Sequence, residues 1–128
     1  MLTAIKQKSY NQQYALSIRG RAKKLWHRAK KRNADCEITE AWIIKKLIQG
    51  HCELSGLPFD LTPSTRHRTN PYAPSLDRIN SDIKNYTPEN TRLVLASVNL
   101  ALNEFGTDIM LPILKAMVDT IEKPDANR

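Results

Sequence analysis

Pro74-Ser75-Leu76-Asp77-Arg78-Ile79, then Tyr86-Thr87-Pro88-Glu89-Asn90-Thr91-Arg92-Leu93-Val94-Leu95, then Ser97-Val98-Asn99-Leu100-Ala101-Leu102-Asn103, is the part of the chain that carries its architecture. Its aliphatic and β-branched runs predict two short strands, Ser75 to Ile79 and Thr91 to Leu95, because such residues suit a pleated, half-buried surface. Between them Asn80 to Asn90 is rich in turn formers and reads as a loop. Ser97 can cap a short helix that Gly106 ends. The order is strand, loop, strand, helix.

Upstream, Gly56, Pro58, Pro63, Pro71, Pro74 and Pro88 punctuate residues 51–89, so only short extended pieces fit between them. Before that the periodicity becomes helical. Tyr14, Ile18, Ala22, Leu25, Trp26 and Ala29 recur at three- and four-residue steps and fix the core face of an amphipathic helix, which Gly20 weakens locally. On its other faces Arg21, Lys24, Arg28 and Lys31 form a stripe able to follow a phosphate backbone. A second helix begins at Thr39 as N-cap with Glu40 in its first turn. It carries Ile43, Ile44, Leu47 and Ile48 as its apolar set and stops at Gly50; Trp42 reads as core packing. Downstream, Asp108 to Ile121 pairs Ile113 with Leu114 and Met117 with Val118 at helical spacing, with Pro112 tolerated only near a helix start. That helix is expected to pack on the core, and the tail after Pro124 to fray.

The 128 residues suit one domain with a modest core. Three parts are expected within it: a basic helical part over 1–50, a strand-strand-helix core over 51–106, and a C-terminal helix and tail over 107–128. Residues 1–50 hold twelve Lys/Arg against three acids and residues 51–128 eight against ten, so +9 and −2 make the net +7. The first half is therefore the polyanion-facing surface. Lys6 and Lys8 interrupt the first apolar residues, leaving no signal-peptide core and no membrane span, and a cytoplasmic location is expected. The two cysteines, Cys36 and Cys52, read as reduced thiols. Position 55 is serine where a metal-binding knuckle needs a second cysteine, so no structural zinc is expected and Cys52 reads as a half-buried thiol.

Taken together, Asp77-Arg78, Asn90 and Asn99, with the Pro74-to-Ile79 and Cys52-to-Phe59 elements, resemble the HNH (ββα-metal, His-Me finger) endonucleases. The resemblance is nearest to a phage and prophage branch, and it covers roughly residues 35–106. It implies an α+β fold, mainly helical, with a small ββα-metal core of two antiparallel strands and a helix. It also implies a nuclease acting on double-stranded or branched DNA that leaves 3′-hydroxyl and 5′-phosphate ends. Phosphodiester hydrolysis needs a cation against the growing charge, and Mg²⁺ (or Mn²⁺) prefers a few hard oxygen ligands and waters. Asp77, Asn99 and Asn103 are the expected ligands, the last as second amide or bystander. Asn90 is expected to hold the inter-strand loop through backbone hydrogen bonds.

The pattern departs from the family at one position. Where the family has a histidine as general base stands Arg78, which stays protonated and suits phosphate binding instead. His67, in Arg66-His67-Arg68, is the candidate base, its neighbours attracting phosphate; His27 and His51 read as structural or backbone contacts. Metal coordination alone, which lowers the pKa of water, is the other source. The expectation is thus a metal-dependent DNA endonuclease, whose activity the arginine puts in question. The alternatives are a non-catalytic nucleic-acid-binding protein of the same fold, and a packing protein whose basic helix meets an acidic partner. Oligomeric state is not legible.

Overall fold

The computed structural model describes residues 13–14, 16–33 and 35–124. The segment holding Lys6 and Lys8 and the tail beyond Pro124 lie outside them. The chain folds as α1 (Ile18–Arg32), α2 (Glu40–Gln49), β1 (Pro74–Arg78), β2 (Thr91–Leu95), α3 (Ala96–Leu102) and α4 (Gly106–Glu122), an α+β arrangement around one antiparallel hairpin. Among the described residues no helix is long and apolar enough to cross a membrane.

Local chemistry sets the helix ends. The Ser17 side chain accepts from the Gly20 N–H and starts α1 at Ile18, four residues after Tyr14, which is itself helical but 41% exposed. Thr39 does the same for α2 through the Trp42 N–H, and Gly50, at φ 83°, ends it in the left-handed conformation that glycine adopts without penalty. Ile18, Ala22, Leu25, Trp26 and Ala29 of α1 and Ile43, Ile44 and Leu47 of α2 form the core with Ile38, Leu76, Leu93 and Tyr86. Ile48 of the expected apolar set is instead 68% exposed, because it lies roughly 100° around the helix from Leu47, which is 5% exposed in the same turn.

β1 and β2 pair with Pro74 opposite Leu95, Leu76 opposite Leu93 and Asp77 opposite Arg92. Leu76 and Leu93 point into the helical core on one face. The outer edge of β2 is closed by the turn around Cys52. The Glu53 N–H donates to the Leu93 carbonyl, the Leu93 N–H returns to the Glu53 carboxylate, and the Leu95 N–H donates to Cys52 Sγ at 3.3 Å. Cys52 is accordingly buried, 1% exposed, rather than half-buried. Burial pushes its thiol up, but the Ser55 hydroxyl and the Ser55, Leu95 and Leu54 N–H groups outweigh that and leave its pKa lowered.

After β2 the path departs from expectation. α3 begins directly at Ala96 without a side-chain cap, and Ser97 spends its hydroxyl on the Pro71 carbonyl. α3 ends at Asn103, a non-glycine residue at φ 47°, and Gly106 opens α4 instead of closing α3. Pro112 lies well inside α4, and no residue of α4 is buried. Among the described residues the helix leans on α3, and none of its residues is buried in the core.

Candidate active site and nucleic-acid interface

A cavity of about 790 Å³ opens where the end of β1 meets α3 and the loop 79–90. Asp77, Arg78, Asn99 and Asn103 all line it, together with Ser75, Ser81, Asp82, Lys84, Tyr86, Glu104 and, from the last turn of α1, Arg32. Residues from both sides of the hairpin loop thus face one space.

Asp77 is 7% exposed and held by the next strand: Arg92 Nε donates to its Oδ2 at 2.7 Å. The ion-pair partner is therefore Arg92 across the sheet, not the adjacent Arg78. Among the described residues Oδ1 receives no hydrogen bond, so one carboxylate oxygen is fixed and the other is open. Asn99 is oriented in the same manner. Its Nδ2 donates to Ser75 Oγ at 2.8 Å and to the Leu76 carbonyl at 3.1 Å, which leaves its amide oxygen without a partner among the described residues. Asn103 is exposed at the end of α3, and its N–H donates to the Asn99 carbonyl.

Arg78 does not swing freely. Its Nη1 donates to the Lys84 carbonyl at 3.1 Å and its guanidinium lies 5.4 Å from the Tyr86 ring centroid, a cation–π distance. Tyr86 is 2% exposed, and Arg32 Nη1 donates to its hydroxyl at 3.4 Å. Two arginines thus meet at one aromatic ring. The loop is braced by Asn90, which accepts from the Asn80 N–H at 2.9 Å and donates to the Asn80 and Ile83 carbonyls at 3.2 Å each. The Tyr86 carbonyl, accepting from the Glu37 and Ile38 N–H groups, ties the loop to the α1–α2 connection.

An open carboxylate oxygen and an open amide oxygen are hard donors of the type Mg²⁺ takes, with water completing its shell. On that ground Asp77 and Asn99 fit a divalent cation, and exposed Asn103 adds an amide nearby. Among the described residues no three His, Cys, Asp or Glu side chains cluster, and Cys36 and Cys52 are free thiols.

The basic residues divide. Lys24, Arg28 and Lys31 are exposed along α1, and Arg66 and Arg68 on the loop before β1. Arg21 leaves the expected stripe: it is half-buried, its Nη2 donates to the Leu61 carbonyl at 3.1 Å, and its buried Nε has no partner among the described residues. Burial, then repulsion from Arg28, holds its pKa below the usual value. Arg21 therefore braces the body rather than offering a phosphate contact. Arg28 and Arg32 both border a small cleft that shares Ser75, Leu76 and Tyr86 with the main cavity, so the cationic face of α1 runs into it.

His67 lies exposed on its loop, the N–H bonded to Ser64 Oγ, and does not line the cavity; Thr69, two residues on, does. Sequence reasoning missed Arg92, Arg32 and Tyr86. Arg32 follows Arg28 by four residues and was in phase for the stripe, whereas Arg92 needed the strand register. No protein-family model, curated protein or solved structure matches the chain.

Proposed function

We propose that the chain is a metal-dependent endonuclease of the HNH type that hydrolyses DNA phosphodiester bonds in the cavity between β1 and α3. The observation that carries this reading is the convergence of Asp77, Arg78, Asn99 and Asn103 on one cavity that adjoins the basic face of α1 through Arg32. Asp77 and Asn99, with Asn103 beside them, would hold Mg²⁺ or Mn²⁺, which when bound supplies charge neutralisation at the scissile phosphate and a lowered pKa for the attacking water.

The chain's own groups do the rest. Arg92 holds one Asp77 oxygen so that the other faces the cavity, and Ser75 turns the Asn99 amide. Arg78 keeps its remaining donors for a non-bridging phosphate oxygen, where charge grows in the transition state. Arg32, Lys24, Arg28 and Lys31 hold flanking phosphates. The proton acceptors lining the cavity beside Asp77 are Asp82 and Glu104, which take the place proposed for His67.

The test is plasmid nicking with Mg²⁺ or Mn²⁺ by the wild type and Asp77→Asn, a change that preserves an acceptor for Arg92. Activity should fall by about a hundredfold or more, and products should be ligatable. A wild type that cuts no plasmid, single-stranded or branched DNA in any divalent metal refutes the enzyme; undiminished cutting by Asp77→Asn refutes the site. His67→Ala should cut at wild-type rate, and loss of proton transfer in Asp82→Asn or Glu104→Gln identifies the acceptor.

A second reading, a non-catalytic DNA-binding protein of this fold, is favoured by Arg78 at the family's histidine position and by the absence of any histidine from the cavity lining among the described residues. Salt-dependent DNA binding without cleavage would select it.

A further inference from the structure

α4 runs for 17 residues with none buried. At 3.6 residues per turn its apolar side chains cover an arc of roughly 200°. Ile109, Leu111, Ile113, Met117, Val118 and Ile121 on that arc are each 48–59% exposed. The charged residues of the helix, Asp108, Lys115, Asp119 and Glu122, fall together on the opposite side. A helix of this kind is built to be covered, and among the described residues α3 is the element that leans on it.

We infer that this arc is the seat of a second copy of the chain, α4 against α4 about a two-fold axis. Two observations select that occupant. The first is area: six aliphatic side chains about half open leave on the order of 600 Å² per protomer, against roughly 800 Å² per partner in a standard interface. Phe105, 49% exposed directly before the helix, extends the patch toward that size. About 600 Å² is the upper end of the roughly 300–600 Å² that the largest apolar patch of a monomer spans, a size often functional. The second is charge. The chain carries +7, which repels a copy approaching at its basic face, whereas α4 holds one lysine against three acids and keeps all four off the arc. A two-fold pair lays one uncharged arc on the other with the polar strips outside, and closes on itself.

The inference is independent of the proposed chemistry. Sedimentation equilibrium of the full chain should give a monomer–dimer equilibrium with Kd on the order of 100 µM or tighter. Met117→Glu/Ile121→Glu should be monomeric at the same concentrations, with the circular dichroism of the wild type, because neither side chain is part of the protomer core. A wild type that stays monomeric at that concentration overturns the proposal whatever the variant does. A dimer that survives the two glutamates overturns it as well.

Discussion

Replacing Asn90 by alanine should loosen the loop on which the cavity depends, by an amount the hydrogen bonds allow to be estimated. Three side-chain bonds are lost: one from the Asn80 N–H and two to the Asn80 and Ile83 carbonyls. At about 1 kcal/mol net each the sum is about 3 kcal/mol. Asn80 and Ile83 are themselves exposed, so water takes over part of the loss, and Asn90, 8% exposed, leaves only a small void. The expected cost is therefore about 2–3 kcal/mol, a large share of the roughly 5–15 kcal/mol that holds a domain together. Urea unfolding followed by tryptophan fluorescence measures it, since Trp26 donates its indole N–H to the Ile38 carbonyl beside the loop's anchor. The midpoint should fall by about 1–2 M with the slope unchanged. Asn90→Asp should do no better: it keeps the acceptor for the Asn80 N–H but faces two carbonyls with a carboxylate. A cost for Asn90→Ala within about 0.5 kcal/mol of zero would refute the bracing role.

Other outcomes follow from single contacts. Arg92→Ala strands the Asp77 carboxylate, whose side chain is 8% exposed, and should cost roughly 2–4 kcal/mol in chemical denaturation, of which Asp77→Asn/Arg92→Gln recovers part in a double-mutant cycle. Gly50→Ala should cost about 1 kcal/mol for its positive φ alone, because the new methyl meets only ordinary contacts at 3.7 and 3.9 Å. The Asp60 carboxyl is held below its usual pKa by the Thr62 hydroxyl first, then the Thr62 N–H and Asn70. A depressed folded pKa gives stability that is present above the unfolded value of about 3.9 and lost as pH falls through the folded one. Asp60→Asn should therefore lose less stability than the wild type in acid titrations below about pH 4.

Periodicity and capping signals located α1, α2 and the hairpin, because they record interactions between neighbours a few residues apart. Thr39 and Gly50 bound α2 where they were expected, since an N-cap hydroxyl and a left-handed glycine act locally. The failures lie where distant parts meet. β1 runs from Pro74 instead of Ser75, and pairing the expected strands end to end would set Asp77 against Leu93; the one-residue shift sets it against Arg92. Arg21 looked like its neighbours on the stripe until the chain around Leu61 returned to cover it. α4 has a core-facing pattern and no core to face, which no pattern within one chain can reveal.

The same distinction divides the cavity. Asp77, Asn99 and Arg78 are each pinned by a second residue, to Arg92, to Ser75 and the Leu76 carbonyl, and to the Lys84 carbonyl over Tyr86. Such pinning works only if strand, loop and helix keep a fixed spacing, and fixed spacing is what a sequence displays. Asp82, Lys84 and Glu104 are exposed at loop or helix ends, where a residue or two more or less still reaches the same space. The pinned groups are thus legible from spacing, while the partners that pin them across the fold, Arg92 and Tyr86, and the groups that only need to reach are not. His67 shows the same limit: proximity along a loop before β1 fixes no position, and among the described residues the cavity is lined by the Asp82 and Glu104 carboxylates and by no histidine.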